Sequence, residues 1–415
     1  MTEGASDGRL SRLMAHPGFV RFLSARLAVS IAVQMQTVAV GWQIYSITHD
    51  PLDLGLIGLS QFLPFVLLVL PAGHVADRRN RARILSLCFS LELLCAILLL
   101  AFTLSGLAVA WPVFAVMVIF GIARAFSMPA GQALLPNLVP PELFARAVAV
   151  NSSTWQVSTI AGPAIGGLVY LLGPEVVYGT VAVLLAGAVV LMIGLRAPPP
   201  MPTDEPDSWH TLLEGLRFVW RKKIILGAVS LDLFAVLFGG ATALLPAYAQ
   251  DVLHVGPDGL GWLRAAPGVG AAVIAFALTW QPIHRRVGAL MFVGVAVFGV
   301  ATVVFGLSES FWISIAALTV LGAADMVSVY IRHMLVQLET PDGIRGRVSA
   351  VNAVFIGASN ELGEFESGVT AAWWGLKPAV VVGGIASIAI AGLWTRFFPA
   401  LRRMDELPDR VTPTS

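Results

Sequence analysis

Long apolar stretches separated by short polar breaks fill the chain from residue 20 to residue 397. A helix that crosses the bilayer core needs about 20 apolar residues. Stretches of about that length predict twelve membrane-spanning helices, at 20–46, 54–72, 84–105, 111–130, 148–172, 175–195, 224–250, 259–281, 287–307, 311–334, 348–375 and 378–397. The expected fold class is therefore an all-α polytopic membrane protein.

The polar breaks alternate between basic and nearly uncharged, and this alternation predicts an orientation. Of the 26 Lys and Arg residues, we place three in the interior of the membrane (Arg124, Arg264 and Arg332) and only Lys377 on the side opposite the N-terminus. We assign all the others, Arg26 included, to the side of the N-terminus. Because Lys and Arg concentrate in cytoplasmic loops, we expect both termini in the cytoplasm. The polar N-terminus lacks the features of a secretory signal, so the first span is expected to be uncleaved.

Two halves of the sequence repeat. The segment from Gly121 to Asn151 aligns without gaps with the segment from Gly322 to Asn352, and both end in Ala-Val-Asn. The repeat predicts two pseudo-symmetric six-helix bundles related about the membrane normal, with a solute site where they meet.

The repeat and the break after helix 6 divide the chain into four predicted regions. They are an N-terminal half at 1–195, a linker at 196–223, a C-terminal half at 224–397 and a cytoplasmic tail at 398–415. The end of the linker has apolar residues followed by basic ones, which fits an amphipathic helix at the membrane surface. A flexible tether between the halves is the alternative.

Composition narrows the environment and the partners. Apolar residues make up 57% of the chain and charged residues 12%, about half the charged share of a soluble domain. We therefore expect the lipid bilayer as the main surroundings. The net charge of +1 gives no reason to expect nucleic acid as a partner.

A basic loop after helix 2 carries the first recognisable motif. The sequence Gly-His-Val-Ala-Asp-Arg-Arg-Asn-Arg, from Gly73 to Arg81, resembles the GxxxDRxxR/K signature of the major facilitator superfamily. Gly73 would allow close backbone approach, and Asp77 would face the positive end of a neighbouring helix. Arg78 and Arg81 would lie at the anionic cytoplasmic surface. The resemblance implies a cytoplasmic gating role; the alternative is that the arginines only set topology.

Helix 5 carries the second motif, formed by Gly162, Pro163, Gly166 and Gly167. This Gly-Pro-Ala-Ile-Gly-Gly sequence resembles the GPxxGG core found in exporter and antiporter branches of the superfamily. Small residues let helices pack closely, and proline favours a bend. A generic glycine-rich packing face is the alternative.

The best resemblance is to the drug:H⁺ antiporter subgroup that includes siderophore exporters and macrolide efflux proteins. It rests on HPGFVRFLSARL, GIARAFSMPA and NELGEFESG. That subgroup often has an acidic residue midway along helix 1, where this chain has Gln34. Because glutamine cannot carry a proton, we expect any coupling carboxylate elsewhere.

Ionisable residues inside the predicted spans are the candidates for a solute or proton path. Each charge at a helix centre costs roughly 2.5–3.5 kcal/mol facing lipid, so these side chains are expected to line a wet cavity or to pair. The candidates are Arg124, Asp232, Asp325, Glu361, Glu364, Gln34 and Asn360. Glu92 is expected at a helix end, where it would only reach toward water.

Two questions of pairing stay open at this point. Arg124 and Asp325 are equivalent under the repeat and could form the sides of one central site. Alternatively, Asp325 could pair with Arg332, seven residues along the same helix. Helix 11 is predicted to be polar over more than half its circumference, since Asn360, Glu361 and Glu364 lie there. Acidic residues outnumber basic ones among the intramembrane charges, which favours proton antiport or a cationic solute.

Together these patterns predict a secondary transporter that exports a small amphiphilic compound, a drug or a siderophore, in exchange for protons. Cation-coupled uptake of a nutrient or metal is the second hypothesis, and a non-transporting membrane partner or intramembrane enzyme is the third. No Walker-type phosphate loop is present in the sequence, so ATP-driven transport is not expected. We expect a monomer with no cofactor and no metal site.

Overall fold

The chain is almost entirely helical in the computed structural model, which describes residues 12–195, 208–341 and 344–407. Across these residues the prediction of twelve long helices is confirmed, with ends that shift by a few residues. They are α1 (Pro17–Thr48), α2 (Pro51–Arg78), α3 (Arg81–Ser105), α4 (Trp111–Leu134), α5 (Pro141–Tyr170), α6 (Pro174–Ile193), α7 (Lys223–Gly239), α8 (Pro257–Trp280), α9 (Val287–Leu307), α10 (Phe311–Glu339), α11 (Arg345–Trp374) and α12 (Leu376–Phe397).

Hydropathy, and not length, separates α5 and α11 from the other helices. Over the described residues, ten helical segments are long and apolar enough to cross a membrane, and α5 and α11 are not among them. These two helices hold the same place in the repeat, and both begin with polar segments. Their polar side chains therefore require protein or water around them.

Large apolar side chains stay exposed on the outer faces of the apolar helices. Val183 on α6, Phe276 on α8 and Trp312 on α10 each expose two thirds or more of their surface. Exposed apolar surface on this scale is typical of a protein that contacts another apolar phase. The lipid bilayer supplies that phase here.

The helices form two compact units. Of the described residues, the first unit holds 12–47, 60–195 and 208, and the second holds 48–59, 209–341 and 344–407. In the first unit α3 packs against α4 and α6, and in the second α9 packs against α10 and α12. The same pairing order in both units matches the predicted repeat.

Two equivalent glycines give the repeat a structural basis. A Cβ on Gly121 of α4 would overlap the carbonyl oxygen of Gln61 on α2, and a Cβ on Gly322 of α10 would overlap that of Pro267 on α8. In each unit, the fourth helix therefore lies in backbone contact with the second helix. Such close crossings require small residues.

Helix α7 is interrupted inside the second unit. It ends at Gly239 and continues through a 3₁₀ turn (Ala241–Leu244), a short α-helical turn (Leu245–Ala247) and a π turn (Tyr248–Val252). The hydroxyl of Ser367 donates a hydrogen bond to the Gly240 carbonyl at 3.1 Å, so α11 satisfies one of the acceptors at the break. Buried acceptors without partners are costly in lipid.

The end of the predicted linker is a helix, Ser208–Arg221, which we call the linker helix. Its Val219 is buried with Val336 of α10 and with Val348 and Val351 of α11. Glu214 forms an ion pair with Arg347 of α11. The described part of the linker is therefore a docked helix and not a flexible tether; residues 196–207 lie outside the described residues.

The start of the predicted tail packs against the second unit. After a helical turn at Pro399–Arg402, the chain passes the first residues of α9. The backbone carbonyls of Met404 and Asp405 accept hydrogen bonds from Gly288 and Val287. These contacts satisfy amide groups that a helix start leaves without intrahelical partners.

Candidate transport site

The basic loop between α2 and α3 is held together by Arg81. Its guanidinium donates to the Ala76 carbonyl of α2 at 3.3 Å and to the Ala133 carbonyl of α4 at 3.1 Å. At the same place, Asn80 caps α3 by accepting a hydrogen bond from the Arg83 amide. Arg81 therefore joins the ends of α2 and α4 to the start of α3, whereas Arg78 is exposed.

Gly73 lies in open space among the described residues, and its predicted role in close backbone approach stays a prediction. A Cβ built on Gly73 meets no atom of the described chain within 4 Å, so this glycine is not at a close helix contact. The side chain of Asp77 lies outside the described residues, and its predicted electrostatic role stays a prediction.

The glycine motif of α5 lies against the middle of α1. A Cβ on Gly162 would stand 2.5 Å from the Cβ of Gln34, and one on Gly166 would stand 2.8 Å from the Cα of Met35. Pro163 and Gly167 are buried in the same helix. Gln34 of α1 therefore packs against this motif.

A group of three charged residues lies inside the first unit. Glu92 of α3 is 2% exposed, and the charges of Arg26 on α1 and Arg124 on α4 both act on it. The guanidinium of Arg124 lies 5.9 Å from the ring centre of Phe65 on α2, within cation–π range. We call Arg26, Glu92 and Arg124 the N-unit charge cluster.

Sequence reasoning missed two members of this cluster. Arg26 was assigned to the water side because it lies near the start of the first apolar stretch, yet it acts on the buried Glu92. Glu92 was expected at a helix end, but it lies in the middle of α3 and is almost fully buried. The sequence position of Glu92 could have indicated its burial, because at 1.5 Å per residue it lies about 16 Å from the start of α3.

A buried ion pair crosses the second unit. Arg332 of α10 forms a salt bridge with Asp232 of α7, and their side chains are only 3% and 6% exposed. The alternative in which Arg332 pairs with Asp325 on its own helix is therefore wrong. Seven residues separate Arg332 and Asp325 along one helix, which is about 10 Å of rise, while Asp232 reaches Arg332 from the neighbouring helix.

Oppositely charged side chains also lie on α8 and α11. Glu364 acts electrostatically on Arg264, whose Nε is buried without a hydrogen-bond partner among the described residues. A Cβ on Gly58, in the first turns of α2, would stand 2.8 Å from the Glu364 carboxylate. A glycine at position 58 therefore leaves room for this carboxylate.

The remaining candidates lie on α10 and α11. Asp325 and Glu361 are partly buried in the second unit, and Asn360 is exposed. The structure thus groups Asp232, Asp325, Glu361 and Glu364 in one unit and Arg124 in the other. Over the described residues no group of three or more His, Cys, Asp or Glu side chains is arranged to hold a metal ion.

Comparison with known proteins identifies relatives over the whole length. The family described as transmembrane secretion effector matches residues 13–412. The enterobactin exporter EntS of Escherichia coli O139:H28 is 26% identical over 413 residues, which cover 97% of each chain. The same protein from Escherichia fergusonii matches to the same extent.

Solved structures share the fold at low identity. The nucleoside transporter NupG in its D323A form superposes with a TM-score of 0.74 at 13% identity, over 92% of this chain and 100% of that one. A bacterial homologue of the human lysosomal transporter Spinster gives 0.73 at 16% identity, over 96% and 99% of the chains.

The helical repeat, the buried intramembrane charges and these likenesses define a polytopic membrane transporter of the major facilitator type. The chain belongs to the transmembrane secretion effector family of that superfamily. The predicted membership is therefore confirmed.

Proposed function

We propose that the protein exports a small amphiphilic compound, a drug or a siderophore, across the inner membrane in exchange for protons by alternating access. The observation that carries this proposal is the excess of carboxylates embedded in the second unit. Asp232, Asp325, Glu361, Glu364 and Glu366 lie in α7, α10 and α11. Away from the helix ends, these three helices and α8 contain two guanidinium groups, Arg332 of α10 and Arg264 of α8. A site that binds and releases protons needs such carboxylates.

The direction of transport is supported by the relatives. The family is named for secretion, and the relative EntS, which matches 97% of this chain, is an enterobactin exporter. We therefore take a siderophore as the first compound to test. We expect no catalysis, no cofactor and a monomeric protein.

We further infer that both termini lie on the cytoplasmic side of the inner membrane. The loop that carries Arg78, Arg79, Arg81 and Arg83 lies at the end of α2 and the start of α3, and such basic loops stay on the cytoplasmic side. On the opposite side of the membrane, Lys377 at the start of α12 forms an ion pair with Glu309 in the loop before α10, so its charge is balanced there.

Asp325 and Glu361 are the best candidates to carry the proton, because each lies near the middle of its helix. Asp232 is a weaker candidate because Arg332 neutralises it. Neutralising a proton carrier should stop uphill transport and still allow the solute to exchange across the protein. A carboxylate with only a structural role would instead affect folding.

The experiment is accumulation of enterobactin in inside-out vesicles energised by an acid interior. The wild-type protein should concentrate enterobactin, and Asp325→Asn and Glu361→Gln should abolish accumulation but retain exchange of labelled for unlabelled compound. Glu309→Gln is the matched control, because it removes one exposed carboxylate and should accumulate normally. Undiminished uphill accumulation by both neutralised proteins would contradict the coupling scheme.

Uptake remains the competing direction, with a proton or another cation moving inward together with a nutrient or metal. Right-side-out vesicles distinguish the two, since an uptake system accumulates its solute there and an exporter does not. Failure of proteoliposomes to move any of a broad panel of compounds would instead favour a non-transporting partner protein.

A further inference from the structure

One face of the linker helix packs closely against α10 and α11. Val219 is buried there, and Leu216 and Phe218 pack against the same apolar cluster. A Cβ on Gly215 would stand 2.8 Å from the carbonyl oxygen of Arg347, so the backbone of the linker helix contacts the start of α11. These contacts fix how the helix is rotated about its own axis.

The opposite face of the linker helix carries two arginines and a tryptophan. At about 100° per residue, Arg217, Trp220 and Arg221 fall within an arc of about 100° that lies opposite Gly215 and Val219. All three side chains are exposed, and Trp220 exposes 64% of its surface. The rotation that buries Val219 therefore turns a large aromatic ring and two guanidiniums outward.

The positive charge of this segment exceeds the negative charge that the described chain brings to it. Residues 215–231 include four basic residues and no acidic one. Lys222 forms an ion pair with Glu339, the last residue of α10, at 3.2 Å, and the nearest carboxylate on the helix, that of Glu214, pairs with Arg347. Three further cations have no ion pair within the described chain: Arg217, Arg221 and Lys223.

This exposed face lies where a membrane span begins. Lys223 is the first residue of α7, which starts an apolar stretch long enough to cross a bilayer. Trp220 precedes Lys223 by three residues, less than one helical turn. Tryptophan side chains concentrate at the level of the lipid headgroups, where one side of the ring meets acyl chains and the other meets water.

The end of α12 adds the same kinds of side chain at this level. A Cβ on Gly227, one turn into α7, would stand 2.8 Å from the ring of Phe398, just beyond α12. The indole of Trp394 donates a hydrogen bond to the hydroxyl of Ser230 at 2.9 Å, so the end of α12 is attached to the start of α7. Two exposed side chains follow it, those of Arg396 and Phe397.

We propose that Arg217, Trp220 and Arg221 form a binding surface for an anionic phospholipid of the leaflet that surrounds the start of α7, with Lys223 beside them. The two arginines lie four residues apart on adjacent turns, so both guanidiniums can donate to the oxygens of one phosphodiester. The indole of Trp220 contacts the upper part of the acyl chains. The bound lipid covers the face of the linker helix that the described protein leaves open.

The tryptophan favours a lipid over an acidic protein as the occupant. A soluble acidic partner would match the guanidiniums, but the level of Trp220 at the start of a membrane span gives the ring an apolar phase already. Basic clusters next to a membrane span are attracted to anionic lipids. The inference goes beyond the proposed export, because it holds for any solute and either direction of transport.

The first measurement is lipid affinity of the purified full-length protein in neutral detergent, followed by native mass spectrometry. The probes are phosphatidylglycerol and phosphatidylcholine with identical acyl chains. The wild-type protein should bind phosphatidylglycerol more tightly. Each Lys or Arg near an anionic surface contributes about fivefold in affinity, so Arg217→Gln with Arg221→Gln should lower the phosphatidylglycerol affinity about 25-fold and leave phosphatidylcholine unchanged.

The matched control is Arg79→Gln, which removes an exposed arginine of the first unit and should keep the preference for phosphatidylglycerol. Equal affinity for the two lipids in the wild-type protein would overturn the proposal. A preference that survives the double substitution, or that Arg79→Gln reduces equally, would also overturn it. Displacement of phosphatidylglycerol by millimolar inorganic phosphate would reject a lipid site in favour of a site for free phosphate.

The second measurement locates the lipid at Trp220. Nanodiscs contain equal parts of the two lipids, and either one carries brominated acyl chains that quench tryptophan fluorescence. Because the chain has 11 tryptophans, the signal of Trp220 is the difference between the wild-type protein and Trp220→Phe. Brominated phosphatidylglycerol should quench this signal more than brominated phosphatidylcholine, and the double arginine substitution should make the two equal. A Trp220 signal that neither lipid quenches would place the ring in water and contradict the proposal.

Discussion

The carboxylate of Asp232 on α7 and the guanidinium of Arg332 on α10 form an ion pair that is almost completely buried. Each charge neutralises the other inside the second unit, so the pair holds α7 to α10. Such a pair is costly to break from one side only, because the remaining charge is left buried and alone.

Neutralising one partner of this pair should therefore destabilise the protein. We expect Asp232→Asn to lower the free energy of unfolding by about 3–5 kcal/mol, seen as a lower midpoint in thermal denaturation of the purified protein. The double variant Asp232→Asn with Arg332→Gln should recover much of the loss. A single variant as stable as the wild type but without proton coupling would instead make Asp232 a proton carrier.

The α5 glycines should be sensitive to added volume. Gly162→Leu and Gly166→Leu place a side chain where α1 already stands, 2.5 and 2.8 Å from where a Cβ would be. Overpacking of this kind costs about 1–3 kcal/mol, so we expect lower thermal stability and slower transport.

The matched control for the α5 variants is Gly187→Leu on α6. A Cβ at position 187 meets nothing within 4 Å in the described chain, so this variant should behave like the wild type. Equal transport by all three variants would show that the α5 motif has no packing role.

Two residues of the basic-loop motif, Arg81 and Gly73, should differ in how much their substitution lowers the stability. Arg81→Ala removes hydrogen bonds to Ala76 and Ala133, and bonds from a charged donor contribute about 1.5–3 kcal/mol each. Gly73→Ala adds a methyl group into open space and should leave the stability unchanged. Thermal denaturation of both variants checks this, and a more damaging Gly73→Ala would point to a contact made in another conformation.

The linker helix should be held mainly by its apolar contacts. The ion pair of Glu214 and Arg347 is part-exposed, and exposed pairs contribute about 0–1 kcal/mol, whereas Val219 is buried with α10 and α11. Val219→Asp should therefore release the helix and speed proteolysis within 208–221. Glu214→Gln should change the cleavage rate little, and the opposite ranking would make the ion pair the main attachment.

Hydropathy predicted most of the fold because ten helical segments of the described chain are long apolar runs. It placed the start of α5 at residue 148, whereas the helix begins at Pro141, since the polar first turns carry no hydrophobic signal. The repeat could be detected in the sequence because both halves keep the same small residues at equivalent positions. Gly121 and Gly322 are such a pair, since each packs against a backbone carbonyl of the second helix of its unit.

Pairing among the charges could not be predicted in the same way. Whether Arg332 pairs with Asp232 or Asp325 depends on how α10 is rotated against α7. The sequence pattern does not determine that rotation. Arg26 was misassigned because a run of apolar residues does not mark where the water boundary falls. Gly73 matches the sequence motif, but the motif alone does not show which residues of the other helices contact it.

The central claim, exchange of an exported solute for protons, is tested most directly by following protons and enterobactin together. Proteoliposomes containing the purified protein, a pH-sensitive dye and enterobactin are diluted into enterobactin-free buffer at equal pH. As enterobactin leaves down its gradient, protons should enter and the interior should become more acidic, and Asp325→Asn with Glu361→Gln should abolish the pH change. An interior that stays at constant pH while enterobactin leaves, or that becomes more alkaline, would contradict proton antiport.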